Sequence, residues 1–263
     1  MISVICVYNN PESLKKYLLP DLNFQSCEHE RILLDNTDGR FKSSAEALNH
    51  GARKANGEYL MFIHQDVKLE SSSWLEDAHK ILDNLPNMGV AGVAGMSLKG
   101  KNHLEKQRNI IKHEVPPRKW GNPIEKPEEV ETVDECLFII PKEVFQQIEF
   151  DEETCPGWHL YGVDYCLTAR EKGFKVFVIP LSVYHLSAHS GDENPLKTVI
   201  KMGYHPEGYY NILKKVMKKH KRNFNKIYTT CGDWSTSTPL IIQRGLLTFH
   251  LGINYLKRKI SDN

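Results

Sequence analysis

The residues able to do chemistry in this chain are acids and histidines placed where apolar runs stop. Asp66 ends the stretch Ala55-Asn56-Gly57-Glu58-Tyr59-Leu60-Met61-Phe62-Ile63-His64-Gln65-Asp66-Val67. Its apolar centre, bounded by Gly and by polar residues, reads as a buried strand of a parallel sheet. Ligands of open α/β sheets bind beyond the carboxyl ends of strands, so Asp66 stands where it could meet a cation or a phosphate; the other reading is a turn-capping acid. A second acidic strand end is Asp35-Asn36-Thr37-Asp38-Gly39. A third acid, Asp164, falls in Gly157-Trp158-His159-Leu160-Tyr161-Gly162-Val163-Asp164, at the start of a helix, where it serves as a dipole-stabilised cap or as a proton acceptor. Ser182-Val183-Tyr184-His185-Leu186-Ser187-Ala188-His189-Ser190-Gly191 adds two histidines and small hydroxyls.

The elements that must position these groups alternate, as a doubly wound α/β sheet requires. Ile2 to Tyr8 is a β-branched run stopped by Asn9-Asn10-Pro11, and Leu14, Leu18 and Leu22 then mark one face of a helix over 12–22. Glu30 to Leu34 is the second strand. Ser43 or Ser44 caps a helix through Ala55, and Gly57 closes it before the third strand. Ser71 to Leu85 reads as a capped amphipathic helix, and Gly89 to Gly95 as a small-residue strand. Residues 97–127 lack a period and read as a long loop, in which Trp120 is either a stacking platform for a ligand or a pin to the core. Glu131 to Pro141 enters acidic and ends as an apolar strand, followed by a short helix over 142–148. Gly173 ends the helix that carries Asp164 and opens another strand.

In its strand–helix order, and in the loops Tyr8-Asn9, Asp35-Asn36 and His64-Gln65-Asp66, the chain resembles the nucleotide-sugar-dependent glycosyltransferases of the GT-A fold, family 2 and its glycosyltransferase-like relatives. The resemblance covers residues 2–190 and implies a Rossmann-like, mostly parallel sheet flanked by helices. It implies an inverting transfer of a hexosyl group from a nucleotide-diphosphate donor, with a UDP-sugar favoured, to a hydroxyl of a glycan or lipid-linked acceptor. By position, Tyr8 would flank the base, Asp35 would hydrogen-bond it, and Asn9, His64, Gln65 and Asp66 would complete the nucleotide-sugar site. Asp66 and His185 would hold Mn or Mg, and Asp164 would be the general base, with Glu135 next in line. Trp158, His159 and Tyr161 would line the acceptor side. Two departures stand out: no proline precedes Tyr8-Asn9, and His64 replaces the first Asp of the family's Asp-x-Asp, although imidazole is itself a ligand for Mn-like ions.

Other classes remain alongside. A nucleotidyltransferase shares the sheet type but needs a Gly-rich loop where Tyr8-Asn9-Asn10-Pro11 stands, and a non-catalytic nucleotide-sugar- or glycan-binding relative would not need a base. Lys+Arg 34 against Asp+Glu 33 leaves a net charge of +1, so no overall field marks a nucleic-acid binder. Six cysteines without a Cys-x-x-Cys pair read as reduced thiols of a cytoplasmic protein. The expected division is a glycosyltransferase domain at 1–190 and a C-terminal helical extension at 191–263. In that extension, Lys214 to Arg222 forms a basic stripe, and Leu246 to Leu256 precedes Lys257-Arg258-Lys259. The tail either docks on the core or gives weak peripheral contact with the inner membrane face. The sequence opens directly on a strand with no signal-peptide pattern, and no uninterrupted apolar stretch is long enough to span a bilayer.

Overall fold

A computed structural model describes residues 1–109, 111–113, 118–186, 205–246 and 253, with the backbone alone at 118–120. The expectations for the Trp120 side chain, for His189-Ser190-Gly191 and for Lys257-Arg258-Lys259 lie outside the described residues.

In chain order the elements are β1 (Ile2–Tyr8), α1 (Pro11–Lys16), α2 (Leu18–Asn23), β2 (His29–Asp35), α3 (Ser44–Ala52), β3 (Tyr59–Ile63), β4 (Val67–Lys68) and α4 (Trp74–Leu82). Next come β5 (Met88–Gly92), β6 (Gly95–Met96), α5 (His103–Lys106), β7 (Gln107–Arg108), β8 (Ile111–His113), β9 (Arg118–Trp120), β10 (Glu128–Glu129) and β11 (Thr132–Val133). The chain continues with β12 (Leu137–Pro141), α6 (Lys142–Phe145), α7 (Tyr161–Glu171), β13 (Lys175–Val178), β14 (Val183–His185), α8 (Glu207–His220), β15 (Lys226–Thr229) and β16 (Gly232–Ser235).

The main sheet has seven strands in the order β10-β13-β5-β12-β3-β1-β2. β1 is parallel to β2 and β3, and β13 is parallel to β5, while β12 runs antiparallel to both of its neighbours. β3 is buried on both faces because alternate residues enter different cores. Leu60 and Phe62 pack with Ile5, Phe138 and the residues of α3, α7 and α8. Met61 and Ile63 pack with Val4, Cys6 and the apolar residues of α1, α2 and α4. Full burial of each such side chain is worth about 1.5–3 kcal/mol, so this strand is a fixed platform for whatever follows it.

One expected helix is two. Leu14, Leu18 and Leu22 are all buried as the periodicity requires, but α1 ends at Lys16 and α2 begins at Leu18. Pro20 is the reason: its ring collides with the carbonyl four residues back, at Lys16, and it has no N–H to donate. The long loop over 97–127 also carries more order than its composition suggests. β4, β14, β8 and β9 form a separate four-stranded sheet, into which residues of that loop supply two strands.

The C-terminal region closes on the main body. Tyr209, Tyr210, Ile212, Leu213, Val216 and Met217 of α8 are buried in the same core as α7, and Ile227 and Trp234 of the β15–β16 hairpin join them. Among the described residues no helix is long and apolar enough to cross a membrane.

Candidate active site

The carboxyl ends of β1, β2 and β3 open into a cleft of about 910 Å³, lined by Tyr8, Asn9, Asn36, Lys42, His64, Gln65, Asp66, Glu135, Trp158 and Tyr161 among others. A hollow of about 470 Å³ at the opposite end of β3, around Glu58, Tyr59 and Pro141, holds no comparable convergence of histidine and acid.

The turn after β3 is fixed from three sides. His64 donates its backbone N–H to the Cys136 carbonyl at 2.9 Å. Gln65 Oε1 accepts from Asn9 N and Asn10 N at 3.1 and 2.9 Å, and its Nε2 donates to Asn9 Oδ1 at 2.9 Å. Gln65 therefore fastens the β1 loop to the β3 turn, and Asn9 and Gln65 both act on each other before any ligand arrives. Asn36 N donates to the Tyr8 carbonyl at 2.8 Å, which ties the β2 loop to the same edge.

His185 reaches this edge from the small sheet. β14 pairs with β4 so that His185 stands opposite Val67, the residue after Asp66, and Leu186 N donates to the Asp66 carbonyl at 3.1 Å. One ligand atom each from His64, Asp66 and His185 then lie within 4.8 Å of one another. His64 Nδ1 is 3.5 Å from His185 Nε2, which is 3.5 Å from an Asp66 carboxylate oxygen. Ligand bonds near 2.1 Å around one ion place donors about 3–3.5 Å apart, so the spacing and the donor types fit a divalent cation. Two imidazoles with one carboxylate favour a Mn-like ion over Mg, which prefers oxygen. Burial, with the charge of His185, holds the His64 imidazole well below its usual range, keeping it in the neutral form that ligates. For Asp66 burial pushes upward, but the hydrogen bond and charge of His185 and the charge of His64 outweigh it and keep the carboxylate ionised. His113, paired with His185 across β8 and β14, sits with its ring 5.5 Å from that of His185.

Tyr161 lines the cleft, and its hydroxyl lies 3.2 Å from His64 Nε2. The ring rests on Phe138 and Phe150, each at 6.2 Å, so its position is set by the aromatic core beneath. Trp158 is 43% exposed at the mouth of the cleft, its ring open to solvent. Asp35 stands at the rim and does not itself line the cleft; it accepts from Thr37 N at 2.8 Å and Thr37 Oγ1 at 2.7 Å, and these bonds lower its pKa. Tyr8 is its register partner on β1.

Two expected site residues are placed elsewhere. His159 turns from the cleft to meet the Tyr209 ring at 5.9 Å. Asp164 does lie in the first turn of α7, but its side chain faces α8. It is 2% exposed, with its two carboxylate oxygens taken by His220 Nε2 at 2.9 Å and Lys219 Nζ at 2.7 Å. His220 in turn holds Glu171 at 2.8 Å, and Lys219 holds Asp151 at 2.9 Å. Asp164 is the centre of a buried ion-pair network that binds the two helices, so the expected base is engaged in structure and is not among the residues that line the cleft. Glu135 stands in the cleft instead. Thr37, Asp38 and Lys42 also line it without having been given a role; the acidic turn at Asp35–Gly39 marked the first two in the sequence, and nothing marked Lys42.

A mostly parallel sheet flanked by helices, with the cleft at the carboxyl ends of its strands, is the GT-A fold of glycosyltransferases. The chain belongs to the Glycosyltransferase like family, whose model matches residues 3–198. A protein of Fuscovulum blasticum named ATP synthase subunits region ORF 6 is 30% identical over 176 residues, 65% of this chain and 68% of that protein. Among solved structures, the mannosyltransferase PcManGT from Pyrobaculum calidifontis in complex with GDP-Man and Mn2+ matches with a TM-score of 0.54 at 13% identity, over 85% of this chain and 64% of its own. This chain thus spans less than two thirds of that protein. S. aureus TarS 1-349 in complex with UDP-GlcNAc matches at 0.49 and 14% identity, over 84% of this chain and 74% of its own, too distant to carry an argument.

Proposed function

We propose that this protein transfers a hexosyl group from a nucleotide-diphosphate sugar, a UDP-sugar foremost, to a hydroxyl of a glycan or lipid-linked acceptor, with inversion at the anomeric carbon. The observation that carries the reading is the convergence of His64, Asp66 and His185 at the carboxyl end of β3. These three residues would hold Mn, or Mg, whose positive charge supplies stabilisation of a diphosphate leaving group. Tyr8 in the cleft and Asp35 at its rim would receive the nucleoside, and the loop of Asn36, Thr37 and Asp38 would wall it. Trp158 is the platform for the acceptor or the transferred sugar. Stabilisation of leaving-group charge in a partly dry cleft is usually the largest catalytic contribution, on the order of several kcal/mol.

Residues 1–190 form the catalytic unit in this reading, and 191–263 an extension that braces it, as Lys219 and His220 do at Asp164. The six cysteines are all free thiols, which supports a cytoplasmic site of action. Exposed Lys214, Lys218, Lys221 and Arg222 support weak contact with an anionic leaflet.

The test is a screen of UDP-, GDP- and dTDP-sugars for Mn-dependent donor cleavage, with UDP binding measured by calorimetry in parent and Asp66→Ala. Expected are turnover of one donor class by the parent, and loss of Mn-dependent UDP binding in a folded variant. Undiminished binding in Asp66→Ala removes the metal assignment. Binding of a donor without turnover in any acceptor mixture makes the protein a binding relative.

A further inference from the structure

We propose that Glu135 is the base that takes the acceptor's proton, a role that rests on the glycosyl-transfer reading above. Three carboxylates line the cleft: Asp38, Asp66 and Glu135. Asp66 belongs to the His–Asp–His cluster, and Asp38 lies on the exposed β2 loop, accepting from Arg40 N at 3.0 Å. Glu135 alone of the three sits in the wall formed by the start of α7, next to Tyr161 and on the side of Trp158.

The local structure is built to put it there. The N-cap residue of α7, Leu160, has φ 61°, a left-handed conformation uncommon for a side chain of its kind, and it offers the helix no side-chain cap. Instead Leu160 N and Gly162 N donate to the two oxygens of Glu135 at 3.1 and 2.8 Å. With Val163 N also donating, three of the carboxylate's roughly four acceptor positions are filled, and the remaining one can still accept a proton. Position 162 must be small for this: a Cβ there would lie 3.0 Å from Glu135 Cγ. The neighbouring Asp134 is held by other donors, accepting from Thr230 Oγ1 at 2.8 Å and Cys136 N at 3.0 Å.

In the step, the acceptor O–H proton passes to a Glu135 oxygen as the acceptor oxygen's electron pair forms the bond to the anomeric carbon. The bond from that carbon to the diphosphate oxygen breaks, and its electrons leave with the nucleoside diphosphate. The electrostatics suit the role. Burial pushes the Glu135 carboxyl up to about 8, with the charge of Asp134 adding and the α7 N–H groups opposing, and a base is most effective when its pKa lies near the working pH. The titratable groups that feel its charge are Asp134 beside it, Tyr161 and Cys166 of α7, Cys155 ahead of α7, Tyr209 of α8 and Cys231 of the β15–β16 turn.

The experiment compares the full-length parent with Glu135→Gln, with Glu135→Ala and with the double variant Glu135→Ala/Gly162→Asp, which returns a carboxylate to the same space from the helix. Expected for Glu135→Gln are Mn2+ and nucleotide affinities close to parental by calorimetry, and a fall in transfer kcat of about 10²–10⁴-fold. The rise of parental kcat with pH toward an apparent pKa near 8 should vanish in that variant. The double variant should recover at least about tenfold over Glu135→Ala, which a merely helix-capping role does not predict. An active parent with an unimpaired Glu135→Gln overturns the assignment of Glu135 alone, as does a double variant no better than Glu135→Ala. A parent without metal-dependent turnover overturns the glycosyl-transfer reading and this inference with it.

Discussion

The contact between Tyr161 and His64 decides which nitrogen of the histidine is available to an ion. With His64 Nδ1 facing His185 and Nε2 facing the Tyr161 hydroxyl, an Nε2–H donated to Tyr161 leaves the Nδ1 lone pair directed into the cluster. Partners of this kind fix the ring and its tautomer, and their loss typically costs about 10–100-fold in metal affinity. Tyr161→Phe should weaken Mn2+ binding by about that factor with little change in Tm, which titration calorimetry on the variant will read. Asp164 gives the opposite pattern. Removing one charge from a buried pair costs about 3–5 kcal/mol, or roughly 10 °C in a chain of this size. Asp164→Asn should therefore lower Tm by about that amount and leave UDP affinity near parental; a large loss of kcat with an unchanged Tm would return Asp164 to the chemistry.

At the scale of elements, the apolar runs and caps made the parallel half of the sheet legible. β1, β2, α3 and β3 fall where periodicity, Ser43 and the turn residues put them, and with them Tyr8, His64, Gln65 and Asp66. The direction of β12 was not legible, because a fully buried strand reads the same both ways. Since β12 runs antiparallel to β3, its beginning, not its end, meets the cleft, and Glu135 stands just before it. Asp164 misled for a related reason: a helix start locates a residue along the axis, and the side to which it points depends on α8, far along the chain. Two tests belong here. Ser43 Oγ accepts from Glu46 N at 3.1 Å, so Ser43→Ala should cost about 1 kcal/mol, measurable by urea denaturation. Asp151 anchors Lys219 ahead of α7; burial would raise its pKa, but Thr154 and Lys219 bring it down from 3.8 to about 2. A depressed carboxylate contributes stability above its unfolded pKa and loses it as pH falls through the folded value. Parent stability should thus decline between about pH 4 and pH 2, and Asp151→Asn should flatten that decline.

Over the whole molecule, near-neutral charge conceals a local excess. Of the basic stripe, Lys215 donates to the Glu153 carbonyl and Lys219 is spent on Asp151 and Asp164, while Lys214, Lys218, Lys221 and Arg222 stay exposed. Each exposed cation is worth up to about 1 kcal/mol near an anionic leaflet, so co-sedimentation with anionic vesicles should exceed that with neutral ones and fade with added salt. Equal partitioning onto both, or none, removes the membrane contact. The reversed strand also sets what changes in chain length this protein tolerates. Leu137 pairs with Ile63, so Glu135 and His64 are held at a fixed offset across two strands. A residue added between 133 and 137 would move the chain by about 3.3 Å and send alternate side chains to the opposite face. Insertions there should remove Glu135 from the cleft wall and abolish transfer in activity assays, whereas insertions in the turn at 98–101, where Leu98 is 57% exposed, should leave transfer unchanged.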